Sequence, residues 1–170
     1  DCNRRLDDPA SILPVSDSHA VPGNADVTRA QRHARTAAIY DPYHAAIEAE
    51  LAQAARRAAA PALISIHSFT PIMRGHRRPW HCGILWDRDP RLPLPLLAAL
   101  RADGELHVGD NEPYSGRDPS DYTVSAHAKS RGWPHVCIEV RQDLLQSEAG
   151  IEAWSERLAP PLAALLANNK

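Results

Sequence analysis

The sequence predicts an α/β protein built on a layered sheet. Two observations carry that prediction. Apolar runs of strand length at residues 62–66, 81–86 and 135–140 alternate with stretches of helical periodicity. No repeat, low-complexity tract or linker divides the 170 residues, which suffice for one domain with a core, spanning 1–170. Strands alternating with helices bury their apolar faces in α/β layers. The 15 prolines fall mainly at element boundaries, which implies a loop-rich surface.

The elements follow in order. Residues 1–25 lack periodicity and carry Pro9, Pro14, Pro22 and Gly23, so they read as an irregular segment. Asp26 or Thr28 can cap a helix running to about Ile39. Asp41-Pro42 then reads as an N-cap with proline at the first helical position, opening a second helix. That helix spaces Tyr43, Ile47, Leu51 and Ala55 four apart and ends before Pro61. A strand at 62–66 leads into a polar loop at 74–79 and a second strand at 81–86. A short helix is expected at 93–101 and a short strand at 105–108. Residues 110–118 read as a loop. Ser120 can cap a helix at 121–131, which Gly132 closes. A third clear strand lies at 135–140. The last helix, from about Glu148, puts Ile151, Trp154, Leu158, Leu162 and Leu165 on one face, and Pro160-Pro161 should kink or break it.

Composition excludes several classes. A net charge of -2 gives no electrostatic case for nucleic acid or an anionic membrane. No apolar run approaches the roughly 20 residues of a membrane span. The polar start, Asp1-Cys2-Asn3-Arg4-Arg5, lacks a secretory apolar core. Three widely spaced cysteines argue against a disulfide framework or a cysteine zinc site, so a cytoplasmic location is expected.

Four groups of residues could carry chemistry. His67 follows the apolar strand in Ser65-Ile66-His67-Ser68-Phe69-Thr70-Pro71. A histidine at a strand end is either a satisfied structural residue or a metal ligand or proton carrier facing a cleft. Glu139 lies in the apolar strand Val136-Cys137-Ile138-Glu139-Val140, facing opposite to Ile138 and Val140. A carboxylate there is costly to bury unpaired. It is either ion-paired with Arg141, two residues on, or a general base with raised proton affinity. Asn3-Arg4-Arg5 offers planar forks for a carboxylate, or is simply a solvated basic terminus. The loop at 109–116 is either an ordinary turn or a substrate cover with Tyr114 as a hydrogen-bond donor. The other histidines show no metal-ligand spacing; His127 reads as structural, and His76 and His81 either line the cleft near His67 or, in the favoured reading, lie on the surface.

Taken together, these segments resemble the N-formylglutamate amidohydrolase family. The resemblance rests on Asp1-Cys2-Asn3-Arg4, Ser16-Asp17, Val21-Pro22-Gly23-Asn24 and Tyr40-Asp41-Pro42-Tyr43-His44. It continues through Ser65-Ile66-His67-Ser68-Phe69-Thr70-Pro71, Arg78-Pro79-Trp80-His81, Asn111-Glu112-Pro113-Tyr114-Ser115 and the run from Ile138 to Leu144. It implies a three-layer α/β/α mixed sheet, similar to the zinc carboxypeptidases and aspartoacylase (phosphorylase/hydrolase-like). It implies zinc as cofactor with His67 as a ligand and Glu139 as the general base acting on water. Asn3 and Arg4 would hold the substrate carboxylate, with Arg141 and Tyr114 as weaker contacts. The substrate class is a small N-acyl amino acid such as N-formylglutamate, and the context is histidine degradation. The family's first zinc ligands come from an N-terminal region without counterpart in this sequence, which therefore reads as part of a longer protein. Two alternatives stand beside this reading: another zinc peptidase or deacylase on the same scaffold, or a homologue that keeps the fold without catalysis.

Overall fold

A computed structural model describes residues 1–57, 60–118 and 121–167. The elements are, in chain order, β1 (Val15–Ser16), β2 (His19–Ala20), α1 (Arg29–Arg35), α2 (Asp41–Ala55), β3 (Leu63–Phe69), β4 (Ile72–Met73), β5 (His76–Arg77), β6 (Cys82–Leu85), α3 (Pro93–Arg101), β7 (Val108–Asp110), α4 (Thr123–His127), β8 (His135–Arg141) and α5 (Glu148–Ala167). Four strands form the central sheet in the order β3-β8-β6-β7. β3 runs parallel to β8, β8 antiparallel to β6, and β6 parallel to β7. The expected α/β class, a mixed sheet flanked by helices, is therefore observed.

The sheet has two unlike faces, and the strand sequences dictate them. On β8, Val136, Ile138 and Val140 point one way and are buried. With Cys82, Ile84 and Val108 they pack under Leu96, Leu97 and Leu100 of α3 and Trp154 and Leu158 of α5. This is the main apolar core. The opposite face carries Ser65, His67 and Phe69 of β3, Cys137 and Glu139 of β8, and Gly83 of β6. Only a small apolar patch of Leu63, Leu85, Val124 and Cys137 seals its lower end under α4.

Several expectations need correction. β3 extends through His67 to Phe69, so His67 lies inside the strand rather than beyond its end. Asp41 is not an N-cap. Thr28 caps α1 through a reciprocal box with Gln31, and a π-helical turn, Thr36–Tyr40, then joins α1 to α2 without a break. Pro42 has no N–H to offer, and the wider turn, in which Asp41 N–H donates to Thr36 five residues back, absorbs that loss. On α2, Leu51 is buried, but Tyr43 and Ala55 are exposed, because α2 packs against α4 and the N-terminal segment rather than against the sheet. The polar loop at 74–79 holds the β4–β5 hairpin, turned by Arg74 and Gly75 with positive φ. The expected strand at 105–108 lies later, at Val108–Asp110, because pairing with β6 outweighs the turn-forming character of Gly109 and Asp110. The helix at 121–131 shortens to α4 followed by a 3-10 turn, Lys129–Arg131, closed by Gly132 at φ 64°. Its proposed cap, Ser120, lies outside the described residues. α5 continues through Pro160-Pro161, whose first ring is exposed and clear of the core. Ile151 is exposed rather than part of the buried stripe.

Candidate active site

His67 and Glu139 stand side by side on the less covered face of the sheet. The parallel register pairs His67 with Glu139, and the next strand pairs Glu139 with Gly83, which pairs with Gly109. Residues in register across neighbouring strands project to the same face. One row across the sheet therefore reads imidazole, carboxylate, glycine, glycine.

The two glycines have a steric reason. A Cβ at Gly83 would overlap the carbonyl oxygen of Glu112, and one at Gly109 would come within 2.6 Å of the same atom. The Glu112-Pro113 backbone thus lies flat on the sheet beside Glu139. Asn111 pins that loop: its N–H donates to Ile84 at 2.9 Å, and its Oδ1 accepts from Trp86 N–H at 2.9 Å and Gly116 N–H at 3.0 Å. The segment expected to cover substrate is knitted onto the sheet rather than free.

Glu139 is 7% exposed, and among the described residues its buried Oε2 has no hydrogen-bond partner. Burial first, and then the negative charge of Asp121, push its carboxyl up to about 7; the Arg78 cation opposes them. The alternative of a Glu139–Arg141 ion pair is not what forms. Arg141 instead bonds Asp143 at 2.8 Å and donates to the carbonyls of Pro79 and Trp80 at 3.3 Å each. His67 Nε2 meets the Ser65 hydroxyl at 2.9 Å.

Asp121 was read only as the start of a helix, yet it belongs to this array. Its carboxyl is raised by burial, with Asn3, His67 and Arg4 acting in the other direction, and among the described residues its buried Oδ1 has no partner. Asn3 Oδ1 accepts the Thr123 N–H at 2.8 Å, satisfying a free donor at the start of α4. The Asn3 side chain is thus tied to the start of α4, where it also acts on Asp121. Arg4 is half-buried, with Nε 3.6 Å from Asp1 Oδ2, and its field reaches Asp121. Tyr114 is 40% exposed, and its hydroxyl accepts from Arg78 Nη1 at 3.0 Å. In the sequence Arg78 opens the Arg78-Pro79-Trp80-His81 motif, with no local signal for this contact.

A histidine pair holds the N-terminal segment in place. His44 Nε2 lies 3.0 Å from the Cys2 carbonyl, so it donates there. Its Nδ1, 2.7 Å from His127 Nε2, is then the acceptor. His127 Nδ1 faces Glu48 Oε1, which also binds Arg131. Arg131, and after it His127, hold the Glu48 carboxyl below its ordinary range. The relay fixes Cys2 and hence its neighbours Asn3 and Arg4. His127 is structural, as expected. The sequence signal was the Tyr40–His44 motif, without its partner. A separate concavity of about 370 Å³ between the N-terminal segment and α1 contains neither His67 nor Glu139.

Fold and site together define an α/β protein with a carboxylate and an imidazole paired on a mixed sheet. The family model for N-formylglutamate amidohydrolase matches residues 1–146. The chain belongs to the N-formylglutamate amidohydrolase family. Its structure is similar to that of gene product Atu2144 from Agrobacterium tumefaciens, with a TM-score of 0.87 and 34% identity over 99% of this chain and 66% of that one. It also resembles N-formylglutamate amidohydrolase from Ralstonia eutropha JMP134, with a TM-score of 0.67 and 21% identity over 98% of this chain and 72% of that one. The second likeness shows the fold alone. The chain thus spans about two thirds of the first of these proteins. No curated protein matches the sequence. Among the described residues no helix is long and apolar enough to cross a membrane.

Proposed function

We propose that the protein hydrolyses the amide bond of N-acyl amino acids, N-formylglutamate foremost, with Glu139 as general base. One observation carries the reading: Glu139 is a buried carboxyl with an unpartnered oxygen and a proton affinity near neutrality, beside His67 in the same row. A base serves best when its pKa lies near working pH. Glu139 then takes a proton from the attacking water and passes it to the departing amine. Arg4, positioned by Asn3 and the His44–His127 relay, holds the substrate carboxylate, and the Tyr114 hydroxyl keeps a proton to donate. Arg141 contributes by fixing the Pro79–Trp80 backbone.

The family resemblance adds zinc to this proposal. A catalytic zinc takes about three protein donors. Among the described residues no three His, Cys, Asp or Glu side chains stand close enough to hold an ion, and the Nε2 of His67 is bonded to Ser65. These residues alone do not fit the ion, so every step above uses the chain's own groups. The zinc-carboxypeptidase-like scaffold and the role in histidine degradation rest on the resemblance as well, and the cytoplasmic location on the cysteine usage.

The test is Glu139→Gln in the full-length protein. Turnover of N-formyl-L-glutamate should fall by about 10²–10⁴-fold, while binding measured by calorimetry persists. Turnover within a few-fold of the parent would remove Glu139 from the role. Formyl, acetyl and peptidyl amides assayed side by side separate this activity from that of another deacylase or peptidase.

A further inference from the structure

Among the described residues, Arg78 is a cation held in place without an ion-pair partner. It lies just past the β4–β5 hairpin and is half-buried. Its Nη1 donates to the Tyr114 hydroxyl, its guanidinium carbon lies 4.9 Å from the Tyr114 ring centre and 5.8 Å from that of Phe69, and its Nη2 meets Met73 Sδ. None of these neighbours neutralises a positive charge. Among the described residues no carboxylate oxygen lies within 4.0 Å of it. Arg5, Arg91, Arg131, Arg141 and Arg157 each do have such a partner.

Its place is as informative as its charge. Phe69 is on the same face of β3 as His67, two residues further on, which is about 6.6 Å along a parallel strand. Arg78 sits over Phe69, and its field reaches Glu139. The Tyr114 hydroxyl and the two rings hold the guanidinium in place, so its remaining N–H groups meet an incoming carboxylate with little ordering cost. An anionic group of a substrate bound over the row would meet this cation beside it.

We propose that Arg78, clamped by Tyr114 and Phe69, binds a second carboxylate of the substrate and so selects N-acyl amino acids with an acidic side chain. This rests on the reading of the protein as an amidohydrolase whose Arg4 takes the first carboxylate. Arg78 touches substrate but no reacting atom, so its loss falls on binding and selectivity.

The experiment compares N-formyl-L-glutamate with N-formyl-L-glutamine on the full-length protein, its R78Q and R78K variants, and Y114F. The parent should prefer the glutamate derivative. R78Q should lose about 10- to 100-fold in kcat/KM on that substrate, mainly through KM, while changing less than about threefold on the glutamine derivative. R78K should recover part of the loss, and Y114F should show a smaller loss of the same selectivity. Equal losses on both substrates, or a parent indifferent to the side-chain charge, would overturn the assignment whether or not every variant folds. Calorimetric binding of the same two compounds runs in parallel. A parent that binds the glutamate derivative more tightly but hydrolyses neither compound refutes the amidohydrolase reading, while the Arg78 subsite stands on the binding difference.

Discussion

Replacing Glu139 with Gln should stabilise the protein above neutral pH while removing its activity. In the folded chain the carboxyl is pushed from 4.5 up to about 7, chiefly by burial. The unfolded chain titrates near the ordinary value. Between these pH values the folded state keeps a proton that the unfolded chain has released, so stability falls as pH rises through the window. At 1.36 kcal/mol per decade of proton affinity, the loss amounts to roughly 3 kcal/mol by pH 8. With 7% exposure, little solvent screening reduces it. Gln cannot titrate, so the variant escapes this cost, and removing the charge also relieves Asp121. Its amide inherits the unpartnered position of Oε2, an offset that does not depend on pH. The readout is therefore the change in the difference between variant and parent. At about 2–4 °C per kcal/mol for a chain of this size, the difference in Tm should widen by roughly 6–12 °C between pH 4.5 and 8. Thermal unfolding followed by circular dichroism at pH 4.5, 6 and 8, with a chelator present, measures it. A difference that stays constant across that range would refute the argument that Glu139 is buried with its charge uncompensated.

Two further outcomes follow from other parts of the site. Gly83→Ala should drive a methyl into the Glu112 carbonyl and cost about 1–3 kcal/mol as the loop lifts, seen as a lower urea midpoint and weaker turnover; an unchanged midpoint would show that the loop does not rest on the sheet. Glu48→Gln should destabilise the protein most above pH 4.5, where the native carboxylate holds Arg131 and His127, and its effect should shrink as pH falls through the lowered folded-state pKa. A destabilisation that persists undiminished at pH 3 would point to packing instead.

How far the site was legible depends on how local each signal is. The strand at 135–140 and the opposed facing of Glu139 follow from period-two alternation, and the core of Val136, Ile138 and Val140 came with them. His67 stood out by its position after an apolar run. That the two face each other depends on the parallel register of β3 and β8, which no local pattern encodes. Asp121 escaped notice because its role depends on Asn3, which lies at the other end of the chain and satisfies the start of α4. Gly83 carried no signal within its expected strand and Gly109 read as part of a loop, because the Glu112 backbone that needs both glycines is recruited by the fold. Arg141, expected near substrate, is captured by Asp143 two residues on, while among the described residues no carboxylate pairs with Arg78.

The π-helical turn between α1 and α2 acts as a phase shifter. Each residue advances a helix by about 100°, so a turn with one residue more than usual rotates everything after it by that angle relative to everything before. Upstream, Arg32 reaches Leu6 and Ser11, and Arg35 reaches Asn24 and Gly23. Downstream, His44 reaches Cys2. One rod thereby clasps the N-terminal segment from two azimuths. Deleting a single residue from Thr36–Tyr40 would restore a regular helix, yet leave either the arginines or His44 pointing away from their targets. The placement of Arg4 is thus set by the winding of a helix that never touches the reacting row.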